Sequence, residues 1–175
     1  MTYRILSSKL GYSYPKSSWD EAMKFKIDMI GADAGSMDFG PYYLGSGACY
    51  FHEASLKHDF ELLLDGAMLH NCPLIIGTLG TTGSRTQMDF MLDIIKNVFE
   101  EKNIRNIKVA VIYSDIEAPA IINCLDDMKP LGRMPELTEE MVKNSTMVGQ
   151  MGIAPFVTAL NEGAQIILAG RACDV

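Results

Sequence analysis

The chain has 175 residues, a net charge of −7, and 48% hydrophobic against 21% charged residues. That is enough for one domain with a real apolar core. The acid excess argues against a nucleic-acid or anionic-membrane role, since either wants a basic face.

In chain order, a short strand is expected at 3–6 and a helix from Ser17 or Ser18 to about residue 24, with Asp20 and Glu21 in its favoured first turn. An apolar strand at 25–30 ends at Gly31. Residues 31–47 then form a long loop holding five glycines, two aspartates, two serines and two tyrosines. Leu56, Phe60, Leu63, Leu64, Ala67 and Met68 fall on one helical face, and that helix should stop near Asn71, before Pro73. A buried strand at 73–77 leads into a glycine turn at 77–83. Ser84 and Gln87 fit a capping box for the next helix, whose stripe is Met91, Ile94, Ile95, Val98 and Phe99. Residues 108–113 are continuously apolar, as in a strand covered on both faces. Pro119 suits the first turn of a helix running to about residue 127. Thr138 caps a short helix, with Leu137 and Val142 spaced as a hydrophobic staple. Ile153, Phe156, Val157 and Leu160 mark a further helix that stops near Gly163, and 165–169 is the last strand.

This alternation predicts a single α/β domain over 1–175, a mainly parallel sheet with helices on both faces and Rossmann-like layering. Right-handed crossovers would bring every strand C-terminus to one edge. Nothing follows the last strand to cover it, so the domain reads as incomplete at its C-terminus. It should bury apolar area by self-association or against a partner chain.

Candidate functional residues cluster at the strand ends, where open α/β sheets bind ligands. Asp33 and Asp38 could move protons or, with Asp115 and Glu117, hold a hard cation. Each could equally cap a turn. The carboxylates lack metal-ligand spacing, so no metal is assigned, and no cofactor is identified. Gly77, Thr78, Gly80, Thr81, Thr82, Gly83 and Ser84 lie between a strand and a helix N-terminus. Such a turn offers backbone N–H donors to an anion, or is merely tight. Gly35 and Ser36 join this binding set. Tyr42 and Tyr43 could line a pocket or pack their loop down. Arg171 could clamp a carboxylate or phosphate, or pair with Asp174 or Asp33. Cys173 reads better as a small buried hydrophobe than as a nucleophile. Cys49, Cys72, Cys124 and Cys173 form no Cys-x-x-Cys pair or zinc spacing. No apolar run approaches the ~20 residues of a membrane span, and the first residues lack a signal-peptide core. The expected location is cytoplasmic.

Several blocks together resemble the acyclic-terpene-utilisation (AtuA-like) family, long catalogued as a domain of unknown function. They are Gly31-Ala-Asp-Ala-Gly-Ser36, Gly40-Pro-Tyr-Tyr-Leu-Gly-Ser-Gly47, Pro73-Leu-Ile-Ile-Gly77, Pro135-Glu-Leu-Thr-Glu139, Val148-Gly-Gln-Met-Gly152 and Gly170-Arg-Ala-Cys-Asp174. Phe39 stands where the family pattern has proline, and Leu79 and Thr82 vary the glycine turn. The resemblance implies the N-terminal part of a longer family domain, engaged in catabolism of branched or terpenoid acids as coenzyme A thioesters. It carries no catalytic assignment.

Two readings follow. The first is part of a lyase- or hydratase-like enzyme for a small carboxylate or acyl thioester, with Asp33, Asp38, Asp115 and Arg171 as catalytic candidates. The second is a non-catalytic ligand-binding or assembly subunit.

Overall fold

The computed structural model describes residues 2–36 and 40–172. Among them, five strands form one sheet: β1 (Ile5–Lys9), β2 (Met29–Gly35), β3 (Leu74–Thr81), β4 (Val109–Ile112) and β5 (Ile166–Ala169). The sheet order is β1-β2-β3-β5-β4, and every pairing is parallel. The helices are α1 (Lys16–Ala22), α2 (Tyr42–Ser46), α3 (Glu53–His70), α4 (Arg85–Glu101), α5 (Ala118–Ile122), α6 (Glu139–Lys143) and α7 (Ala154–Asn161), with a 3-10 turn at Leu125–Asp127. The α/β parallel architecture is the one expected from the alternation of patterns.

The strand order sets the layers. Steps β1 to β2 to β3, and onward to β4, run one way across the sheet, so right-handed crossovers keep α1, α3 and α4 on one face. Their stripes agree: Trp19 of α1, Phe60 and Leu63 of α3, and Met91 and Val98 of α4 share one buried cluster with Ile30, Ile76 and Leu168. Each such apolar side chain contributes about 1.5–3 kcal/mol when fully buried. The return from β4 to β5 reverses direction and puts α7 on the opposite face. That second face is covered unevenly. Toward β1 and β2 it presents Ile5, which is 62% exposed, and an exposed Asp33, with Met29, Gly31, Ile75 and Gly77 half-buried.

Several expectations are corrected. Residues 108–113 are not enclosed on both faces: β4 is an edge strand and its Val111 is 38% exposed. The enclosed strand is β5, inserted between β3 and β4, with no residue above 1% exposure. An uncovered apolar face at 166–169 is therefore absent. β2 starts at Met29 rather than 25, and Phe25 is 56% exposed. The long loop is shorter than expected, because β2 continues through Gly35 and α2 occupies Tyr42–Ser46. The start of α3 has an unexpected cap, His52, whose Nδ1 accepts from the Ala54 N–H at 3.2 Å. Thr138 caps α6 as expected, accepting from the Met141 N–H.

Candidate functional site

In the parallel register Lys9 lies opposite Asp33, and Asp33 opposite Gly77. These three form a row across β1, β2 and β3 at the C-terminal edge. One turn of the pleat below lies the row Ser7, Gly31 and Ile75. Side chains two apart share a face, so Lys9 and Asp33 both rise from the less covered face. The Asp33 Oδ1 accepts from the Gly35 N–H at 3.0 Å, which fixes the carboxylate while the residue stays exposed. The Lys9 Nζ lies 4.9 Å from the centre of the Tyr12 ring, a cation–π contact, and forms no ion pair with Asp33.

Two hollows meet at Ser7 and Asp33. One is a groove of about 300 Å³ on the sheet face, floored by Gly31 and Gly77 and walled by Met29, Ile75, Ile153 and Phe156. A Cβ on Gly31 would touch nothing nearer than the Met29 Cε at 3.8 Å, and one on Gly77 would reach the Ala172 Cβ at 3.4 Å. The chain's own packing thus does not demand glycine there. A strand glycine of that kind marks a place where something else approaches the backbone. The other is a cleft of about 420 Å³ beside β1, walled by Leu6, Tyr12, Tyr14 and Trp19 with Lys9 at its mouth. A third hollow, between Cys72 and Arg105, opens at the N-terminal ends of the strands, away from these carboxylates.

The glycine turn after Gly77 behaves differently. β3 runs on to Thr81 with positive φ at Thr78, Gly80 and Thr81. The register moves from Asp33 opposite Gly77 to Gly35 opposite Thr81, so extra residues bulge from β3. Thr78 to Ser84 are all buried. The Thr81 Oγ1 accepts from the Tyr50 N–H at 3.0 Å, and the Thr78 N–H donates to the Gly170 carbonyl at 2.9 Å. The expected capping box does not form. The Gln87 Oε1 instead accepts from both the N–H and the hydroxyl of Thr82, at 2.8 and 2.7 Å. Its Nε2 donates to the carbonyls of Tyr43 and Ala48. The end of α4 is met from another element: the Asp115 Oδ1 accepts from the Arg85 N–H at 3.0 Å. A carboxylate of the chain itself thus sits where an external anion would go. Arg85 stacks over Tyr113 at 4.1 Å, and the Tyr113 hydroxyl donates to Asp89 at 2.6 Å. That hydrogen bond is the main reason the Tyr113 phenol is held above its usual range.

The structure brings Asp33 and Gly77 together, with Gly35 and Ser36 following on the same strand end; the Ser36 N–H donates to the Thr81 carbonyl. It does not bring Asp115 to Asp33. β3 and β5 intervene, which puts Asp115 three strand spacings away, roughly 14 Å at about 4.8 Å each. Half-buried Arg171 has its N–H bonded to the Ser114 Oγ at 2.7 Å, and its carbonyl accepts from the Met151 N–H. Tyr42 is 68% exposed and packs edge-on to Tyr43. Edge contacts continue from Tyr43 through Tyr50 and Phe51 to Tyr12. Asp38, Cys173 and Asp174 lie outside the described residues.

Four residues of consequence escaped the sequence reading. Lys9 could have been found as the end of β1, the counterpart of Asp33 at the end of β2. Gln87 was read only as half of a cap. Asp59 looks like an ordinary helix residue, yet it is fully buried, and its Oδ2 accepts from the N–H groups of Gly11 and Ser13 at 2.8 and 2.9 Å. It fixes the turn that carries Tyr12 and Tyr14. Burial pushes the Tyr14 phenol up to about 12, with the Asp59 charge adding to the effect. The Tyr14 hydroxyl oxygen is buried and has no hydrogen-bond partner.

A family model described as "Acyclic terpene utilisation family protein AtuA" matches residues 54–175. The match takes in α3 to the end of the chain, while β1, β2 and the Gly31–Gly47 loop lie ahead of it. Neither a curated protein nor a solved structure matches the chain.

Proposed function

Since the chain belongs to the acyclic terpene utilisation family AtuA, we propose that it is part of a lyase- or hydratase-like enzyme acting on an acyl thioester. The reaction site would be the C-terminal edge of β1 and β2. The observation that carries this reading is the row Lys9, Asp33 and Gly77 at the meeting point of two hollows. Asp33 is an exposed carboxylate oriented by the Gly35 N–H. It takes the proton from the carbon next to the thioester carbonyl. The electron pair left on that carbon spreads onto the carbonyl oxygen, and the neighbouring Lys9 charge stabilises it. The glycine-floored groove accepts the extended thioester arm, which needs backbone within van der Waals reach. In this reading Thr78 to Ser84, Asp115 and Arg171 hold the edge together, and they touch no reacting atom.

The test is exchange of that carbon's hydrogen for deuterium in heavy water, followed by NMR on a branched five-carbon acyl coenzyme A. The chain should catalyse the exchange, and Asp33→Asn should slow it by about 10²-fold or more. No exchange by the unaltered chain would refute the reading.

A second reading, an assembly subunit, has its own observation. Leu131 is 87% exposed, Met134 68% and Ile153 77%. Light scattering decides that point: self-association at micromolar concentration supports it, and a stable monomer that catalyses exchange excludes it.

A further inference from the structure

The cleft beside β1 has properties that proton transfer at Asp33 does not use. Its walls are aromatic and aliphatic: Leu6, Tyr12, Tyr14, Trp19 and Ala22. Its volume, about 420 Å³, lies in the range of small-molecule sites, roughly 300–1,000 Å³. Its geometry is held from behind, because Asp59 ties down the Gly11–Ser13 turn and Trp19 stacks against Tyr14 at 5.5 Å between ring centres. Its mouth carries Lys9 and Asp33, and among the described residues no carboxylate is in ion-pair contact with Lys9. The Tyr14 hydroxyl, buried beside it, has no acceptor. A closed apolar patch would need none of these polar groups, and an anion site would not need three aromatic rings.

We propose that this cleft is a binding subsite for the hydrocarbon chain of an amphipathic acyl ligand, with Lys9 at the mouth pairing the ligand's carboxylate or carbonyl oxygen. The inference rests on the reading of Asp33 as the reacting group, since Lys9 and Asp33 are register partners and a carbonyl at Lys9 places the adjacent carbon at Asp33. Chain length is then read by the cleft, and headgroup charge by Lys9. Specificity follows from a few polar groups in an apolar pocket.

The chain's one tryptophan lines the cleft, so it reports occupancy directly. The experiment titrates the chain with butanoate, hexanoate, octanoate and 1-octanol, reading Trp19 emission with calorimetry in parallel. Affinity should rise from butanoate to octanoate with a change in Trp19 emission, and 1-octanol should bind at least 10-fold more weakly than octanoate. Lys9→Met should weaken octanoate by about 10-fold and 1-octanol by less than 2-fold. Ala22→Leu, which fills the cleft, should weaken both by more than 10-fold with unchanged circular dichroism. Should that variant fail to fold, Lys9→Met at its exposed position still decides the matter. Octanoate heat without any change in Trp19 emission, equal binding of acid and alcohol, or no binding at all would overturn the proposal. Deuterium exchange without cleft binding removes the subsite and leaves the Asp33 reading standing. Cleft binding without exchange removes the Asp33 reading and leaves the subsite.

Discussion

The two halves of the sheet edge are written in the same residues and built for different ends. At β1 and β2, Lys9 and Asp33 are exposed, and Gly31 and Gly77 in the adjoining groove would accept a Cβ without a clash. At the ends of β3, β5 and β4, the polar groups of Thr78, Thr81, Thr82, Gln87, Ser114 and Asp115 bond to one another or to backbone. There the glycines are compulsory. A Cβ on Gly83 would stand 2.2 Å from the Arg171 nitrogen, and one on Gly170 would stand 2.4 Å from the Ser114 Oγ. Glycine next to small polar residues is therefore no evidence of a site until it is known whether the chain itself fills the space the glycine leaves.

Substituting the glycines is the strongest way to break that contrast. Gly83→Ala adds a backbone clash at a φ of +77°, and should cost about 3 kcal/mol or more, or prevent folding. Gly31→Ala should change stability by less than about 1 kcal/mol while weakening acyl coenzyme A binding. Urea denaturation and calorimetry measure the pair, and equal losses of stability would erase the distinction. Next comes Gln87→Ala, which strands the N–H and hydroxyl of Thr82 and the carbonyls of Tyr43 and Ala48 in a buried site. A loss of about 2–4 kcal/mol in urea unfolding is expected. Asp115→Ala removes one contact at the N-terminus of α4. Its cost should be about 0.5–2 kcal/mol, with deuterium exchange retained; lost exchange in a folded variant would return Asp115 to the catalytic set.

The smallest effect concerns pH. Tyr14 is half-buried with its hydroxyl oxygen enclosed, its phenol raised to about 12 from an ordinary 10. The folded state therefore holds this proton more tightly than the unfolded chain. Its contribution is whole below pH 10 and is lost as pH rises toward 12. Tyr14→Phe should flatten the fall of the urea midpoint over that window and leave the midpoint at pH 8 nearly unchanged.

Sequence patterning made the architecture legible because each element carries a local signature: the spacing of Leu56, Phe60, Leu63 and Leu64 on α3, the apolar runs of β3 and β5. It could not show that β5 inserts between β3 and β4, because pairing order depends on contacts among residues far apart in the chain. The mistake over β4 follows directly: Lys108-Val-Ala-Val-Ile-Tyr113 is as apolar as a central strand, and only its neighbours make it an edge. At the candidate site, the place of Asp33 near a strand end was legible from the apolar run before it. Asp59 and Gln87 were not, because a buried polar side chain announces itself only through partners such as the Gly11 and Thr82 N–H groups. The Ser84–Gln87 spacing was real, but Thr82 offers Gln87 two donors at once and wins the side chain.

The position of β5 also has a consequence for biosynthesis. β4 pairs with β5, and β3 meets β4 only through it. As the polypeptide leaves the ribosome, β1, β2 and β3 can assemble in order, but β4 then has no neighbour until Ile166–Ala169 emerges more than fifty residues later. Two strand edges stay open in that interval, and open edges are templates for pairing with other chains. A nascent chain halted between β4 and β5 should therefore be the aggregation-prone species and the natural client of chaperones, whereas once β5 has emerged the gap between β3 and β4 is filled and only the outer edges of β1 and β4 remain.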